Sequence, residues 1–284
     1  MSSVPAHSPH RRRDQVTVSV AIALVVVAVV AMMLFLPGVL SFAVSHIPSG
    51  GGSSGASSPG NRTSGSPPNL PPLSSMKGEP GGWSGDTALT SWSENGHPVL
   101  YFYGATWCPY CAASSWVVFK VFASLGGASN VPTGYSNEGS IPEVVVQNLP
   151  VPAGPVALIA DEDTSGVIGT LPTASTPTAQ AYVNAYAGGG IPFVVVNGQY
   201  IHPDTLVEPT DLQEYANGAN GGAGAVEQSM LAENGTAWSA VDSQVFLVLA
   251  FVTFSLGTSV QSLATEYHWS GVLIAGVLSA MNSV

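Results

Sequence analysis

Trp107-Cys108-Pro109-Tyr110-Cys111 holds both cysteines of the 284-residue chain. Two sulfurs three positions apart can close a small disulfide ring when they open a helix. The first sulfur then lies among the unpaired backbone N–H groups of the first turn, which favour a thiolate. Its pKa is expected below the ~8.5 of free cysteine. Such a thiolate attacks a substrate disulfide and forms a mixed disulfide, which the second cysteine resolves. The same pair run in reverse oxidises a dithiol. Pro109 suits an early helical position, where no N–H partner is needed and φ is preset.

Two other chemistries use the same residues. A structural disulfide is one, but a ring this short closes little chain and stabilises little. A zinc site is the other. Structural zinc takes four ligands, so the two thiolates would need His97, before the motif strand, and His202, after a later hairpin.

The motif needs a strand before it and a helix after it. Pro98–Gly104, Pro-Val-Leu-Tyr-Phe-Tyr-Gly, reads as a buried strand closed by glycine. Val118, Val121, Phe122 and Leu125 follow the spacing of one helix face, and Gly126-Gly127 ends it. Strands are expected at 143–147 and 156–160. Thr176-Pro177 reads as a cap and first turn of a helix reaching about Tyr186, stopped by Gly188 to Gly190. Ile191-Pro192 then opens two β-rich runs joined by Asn197-Gly198, a strong hairpin signal. Two dense apolar runs, 245–256 and 271–281, are each shorter than a membrane span. They are expected as buried helices of the domain, with a membrane-embedded hairpin as the alternative. Lys120 is expected at the surface of the motif helix.

Charge and composition bound the rest. Charged residues are 8% of the chain and the net charge is −11. After position 77 the one basic residue, Lys120, faces sixteen carboxylates. This argues against nucleic-acid binding, which needs clustered Lys and Arg. So few charges suit an acidic exterior, where carboxyls are largely protonated.

Residues 1–15 form a basic tail with Arg11 to Arg13. Within 16–40, Val16–Leu36 is long and apolar enough for a membrane anchor. The positive-inside rule sets the N-terminus in the cytoplasm and the remainder outside. Residues 41–85, rich in Gly, Ser and Pro, are expected to be a flexible tether. The folded domain is expected over 86–284, with an insertion at 126–175.

The motif strand, Cys-Pro-Tyr-Cys, helix, Ile-Pro and hairpin, in that order, resemble the thioredoxin superfamily. Tyr101-Phe102-Tyr103-Gly104-Ala105, Cys108 to Ala113, and Gly190-Ile191-Pro192-Phe193 are similar to a narrower group. This is an archaeal family of membrane-anchored, thioredoxin-like proteins known only as a domain of unknown function. The resemblance implies a mixed central sheet flanked by helices. It implies Cys108 as nucleophile, Cys111 as resolver and Pro192 as a cis-proline facing them. Trp107, Pro109, Tyr110, Ile191 and Pro192 are then the substrate-contacting residues. The partners implied are protein thiols and disulfides and a redox partner that the sequence does not identify. No cofactor beyond the Cys108–Cys111 pair is expected. One departure stands out: where thioredoxins keep a buried acid on the motif strand, this chain has Phe102. Proton transfer at Cys111 must then use another group or water. The alternative reading is a binding or adaptor module whose cysteines hold a disulfide.

Overall fold

The computed structural model describes residues 70–127, 131–149 and 154–284. The expectations for the basic tail, the apolar span and most of the tether lie outside these residues.

The strands, in chain order, are β1 (Lys77–Gly78), β2 (Ser84–Gly85), β3 (Ser93–Glu94), β4 (His97–Ala105), β5 (Thr133–Tyr135), β6 (Pro142–Val144), β7 (Ala157–Asp163), β8 (Phe193–Val196) and β9 (Tyr200–His202). The helices are α1 (Pro109–Ser124), α2 (Pro177–Tyr182), α3 (Gly222–Ala232), α4 (Gly235–Leu256), α5 (Val260–Glu266) and α6 (Gly271–Met281). β4 is the centre of a mixed sheet. β7 runs parallel to it, from Val99 opposite Ala157 to Ala105 opposite Asp163. β8 runs antiparallel to it, and β9, β2 and β1 continue the sheet outward. β5 and β6 form a separate two-stranded sheet.

β4 separates two cores because successive strand residues face opposite ways. Leu100 and Phe102 face α1, Trp116, Phe119 and Phe251. Val99, Tyr101 and Tyr103 face Tyr182, Tyr186 and Phe193. The hairpin forms as its residues dictate: Asn197 and Gly198 both take positive φ, which this turn requires. α2 starts where expected, Thr176 Oγ1 accepting from the Ala179 amide at 3.0 Å. It continues through a π-helical turn, Val183–Ala187, to Gly188 in the left-handed region.

Four expectations need correction. First, the tether ends before residue 85. Residues 77–85 join the sheet, because Trp83 is buried and its Nε1 donates to Gln244 of α4 at 2.9 Å. Second, β7 lies inside the stretch read as an insertion, yet it is a central strand. Third, α1 is not an amphipathic surface helix: Val117, Phe119 and Lys120 are buried with its expected face, since α3, α4 and β6 cover it. Fourth, the run at 245–256 is the second half of a 22-residue helix. By length and composition α4 can cross a bilayer, but half of its apolar stretch is buried in the fold.

Lys120 shows why α1 can be enclosed. Its ammonium is 2.8 Å from Glu233 and 5.5 Å from the Trp238 ring centroid. The other Glu233 oxygen accepts from the Ser270 hydroxyl. A buried charge is tolerated when it is paired and hydrogen-bonded in this way.

Candidate functional site around the dithiol

β4 delivers the chain to the start of α1, and the turn between them is pinned from two sides. The Thr106 amide donates to the Asp163 carbonyl at 2.9 Å. The Asn137 and Glu138 amides donate to the carbonyls of Thr106 and Trp107 at 3.2 and 3.0 Å. Trp107 Nε1 donates to the Thr170 carbonyl at 2.9 Å. The residues before the dithiol are therefore held by the 136–140 turn and the segment after β7.

Cys108 is the N-cap of α1, and its sulfur accepts from the Cys111 amide at 3.3 Å. Pro109 occupies the first helical position. The Cys108 thiol is pulled below its ordinary pKa chiefly by the hydrogen bond from the Cys111 thiol. The Cys111 and Tyr110 amides add to this, while burial and the Glu138 charge oppose it. The Cys111 thiol is pushed strongly up, first by burial and then by serving as donor to Cys108. Cys108 is therefore the more acidic thiol of the pair and Cys111 the less acidic. Both cysteines are free thiols.

The residues expected at the rim differ in exposure. Tyr110 is 46% exposed and Trp107 is half-buried. The Ile191–Pro192 bond is cis. Tyr103 pairs with Phe193, and one further step of that register sets Pro192 beside Gly104. A side chain at 104 would meet the Cys111 Cβ at 3.4 Å and the Phe102 ring at 2.6 Å. The start of β8 and the base of the dithiol thus share one small region. Cys108 is only 3% exposed, against 1% for Cys111, so the surface covers its thiol closely.

His202 does not serve a thiolate metal site. Its Nδ1 lies 2.8 Å from the Asp204 carbonyl oxygen and its Nε2 2.9 Å from that of Gly81. His97 is exposed at the start of β4.

Two glutamates that sequence reasoning did not single out belong to the site. Glu143 on β6 is buried, and its carboxyl is raised to about 8 by burial first, then by the charges of Glu162 and Cys108. Glu162 on β7 is half-buried and raised to about 7, again chiefly by burial, with the Gln147 and Val146 amides opposing the shift. Glu143 opens an apolar strand between Pro142 and three valines, and that misfit was its signal. Glu162 sits inside Asp161-Glu162-Asp163, where only the strand register tells which acid faces α1.

A family model described as a domain of unknown function (DUF929) matches residues 88–153, which hold β4, the dithiol, α1, β5 and β6. No curated protein and no solved structure matches the chain. What the comparisons establish is a family match of unassigned function over under a quarter of the chain, centred on the dithiol.

Proposed function

We propose that this protein is a thiol–disulfide oxidoreductase with a thioredoxin-like core. In this reading it is anchored through residues 16–40 and works outside the cytoplasm on protein thiols and disulfides. The observation that carries the reading is the Cys108 sulfur at the N-cap of α1. The Cys111 amide donates to it there and its pKa is lowered, while that of Cys111 is raised, which favours the Cys108 sulfur as the thiolate of the pair. In the reductive direction the Cys108 thiolate attacks a substrate disulfide, and one substrate thiolate leaves. Cys111 then attacks the Cys108 sulfur, the second substrate thiolate leaves, and a Cys108–Cys111 disulfide remains. The thioredoxin-like core is supported by the parallel β4–β7 pair, the antiparallel β4–β8–β9 continuation and the cis Ile191–Pro192 bond.

An insulin-reduction assay with dithiothreitol tests the activity. The intact chain is expected to turn over, Cys108→Ser to lose turnover, and Cys111→Ser to accumulate mixed disulfides. Equal rates in all three proteins would defeat the reading. The reduction potential then fixes direction: about −120 mV marks an oxidant and about −270 mV a reductant.

A second reading is favoured by one observation. Cys108 is so closely covered that a non-catalytic adaptor with a structural disulfide also fits. Its expected result is no turnover by any of the three proteins, with loss of stability on reduction.

A further inference from the structure

Resolution of a mixed disulfide needs the Cys111 proton removed inside the protein, and Phe102 on β4 offers no acceptor. The facing strand does. Glu162 is opposite Gly104 in the parallel register. Leu158 and Ala160, four and two residues earlier on β7, pack with the α1-side core, so Glu162 faces α1 as they do. Gly104 is the position whose missing side chain would touch the Cys111 Cβ, so residue 104 places no side chain between them. The Gln147 amide donates to Glu162 Oε2 at 3.2 Å and fixes the carboxylate. Glu143 feels the charge of Glu162, and two ties between β6 and α1, the second anchored within α1 by the Ser115 hydroxyl, hold its strand in place. Trp116 Nε1 donates to the Pro142 carbonyl at 2.8 Å, the Val144 amide donates to Ser115 Oγ at 3.0 Å, and Ser115 Oγ donates to the Ala112 carbonyl.

We propose that Glu162 accepts the proton Cys111 must lose, and that Glu143 is its positioning partner, holding a proton so that only one carboxylate is charged. This rests on the redox reading above. The titratable groups acting on the pair are Cys108, which faces Glu143, and Cys111, which feels the charge of Glu162; Glu138 from the 136–140 turn acts on Cys108. The step balances. The Cys111 S–H proton passes to the Glu162 carboxylate, and the Cys111 thiolate bonds to the Cys108 sulfur. The mixed disulfide breaks, with its electron pair leaving on the substrate sulfur. That sulfur takes up the proton Glu162 then releases. The dithiol is oxidised and the substrate disulfide is reduced. Two neighbouring buried carboxyls titrate apart because both cannot ionise cheaply. The two amide donors favour Glu162 as the charged member.

The test mixes the reduced full-length chain with one equivalent of dithiodipyridine, an uncharged disulfide whose released thione absorbs light. The first release reports attack by Cys108 and the second reports resolution by Cys111. In the intact chain the rate of the second release is expected to rise with an inflection near pH 7. Glu162→Gln is expected to slow the second release about tenfold or more at pH 7 and abolish the inflection, in line with general-base contributions. Glu162→Asp, which keeps a carboxyl, is expected to retain an inflection. Glu143→Gln is expected to keep the second release while removing the upper part of the titration. A second release in Glu162→Gln with the intact rate and pH profile would overturn the proposal. So would an intact chain without an inflection between pH 6 and 8, a result that does not depend on any variant folding. Absence of the first release in the intact chain would instead defeat the redox reading itself.

Discussion

Both faces of the central sheet are buried, and they use their polar groups in opposite ways. On the α2 face every tyrosine hydroxyl of the cluster ends on an oxygen. Tyr101 donates to Asp161 Oδ2 at 2.8 Å, Tyr103 to the Pro172 carbonyl at 2.8 Å, Tyr182 to the Gly198 carbonyl at 2.9 Å and Tyr186 to the Pro71 carbonyl at 2.7 Å. Asp161 Oδ2 also accepts from the Ser175 amide at 2.9 Å. Burial raises these phenols and keeps them neutral. The stack of Trp92 on Tyr182, 5.2 Å between centroids and 7° between planes, fills the space between them. On the α1 face two thiols and two glutamates sit together with their proton affinities pushed towards or away from neutrality. Satisfied polar groups specify packing, whereas titratable groups held near pH 7 move protons. On the proposed function, the α2 face is structural and the α1 face carries the chemistry.

The Lys120–Glu233 pair sharpens this, because it lies on the chemical face yet is fully partnered. Lys120→Ala leaves the largely enclosed Glu233 carboxylate without its cation and is expected to cost about 3–5 kcal/mol in urea unfolding. Lys120→Met combined with Glu233→Gln should recover most of that loss. Dithiol reactivity in the double variant should stay unchanged; if it falls, the pair belongs to the chemistry as well.

On the other face, Tyr101→Phe removes a hydrogen bond to a buried carboxylate. The expected loss is about 2 kcal/mol, measured by the same unfolding. The rate of thione release should not change. A redox defect in this variant would erase the distinction between the faces.

Stability against pH is the third and smaller effect. Glu143 and Glu162 have folded pKa values raised to about 8 and about 7 from a usual 4.5. The folded state therefore binds more protons than the unfolded chain between about pH 4.5 and 8, and these groups make stability fall as pH rises through that window. The thermal midpoint should be higher near pH 5 than near pH 8 by several degrees. Glu143→Gln with Glu162→Gln should flatten the slope. A midpoint that climbs from pH 5 to 8 in the intact chain would contradict the assigned environments. The smallest effect is at the rim. Tyr110→Ala removes a side chain 46% exposed, so its unfolding free energy should change by less than about 0.5 kcal/mol while insulin reduction slows.

Much of the dithiol region was legible because its signals are local. β4, the glycines after α1, the Thr176 cap, the Asn197-Gly198 turn and Pro192 each follow from a few adjacent residues. What was missed is non-local. Trp83 is buried because α4, about 160 residues later, covers it. Lys120 is buried because Glu233 and Trp238 reach it from elsewhere in the chain. α4 extends ten residues before its dense apolar run because Ala237, Trp238 and Val241 face the core on one side only. The role proposed for Glu162 depends on its register against Gly104, which no spacing within the sequence encodes.

The most direct test is the pH dependence of iodoacetamide alkylation at each cysteine of the reduced full-length chain, resolved by mass spectrometry. Cys108 is expected to be modified in the folded protein with an apparent pKa below ~8.5, while Cys111 stays unmodified until the protein unfolds. Protection of both thiols at every pH that keeps the fold would contradict a nucleophile at position 108.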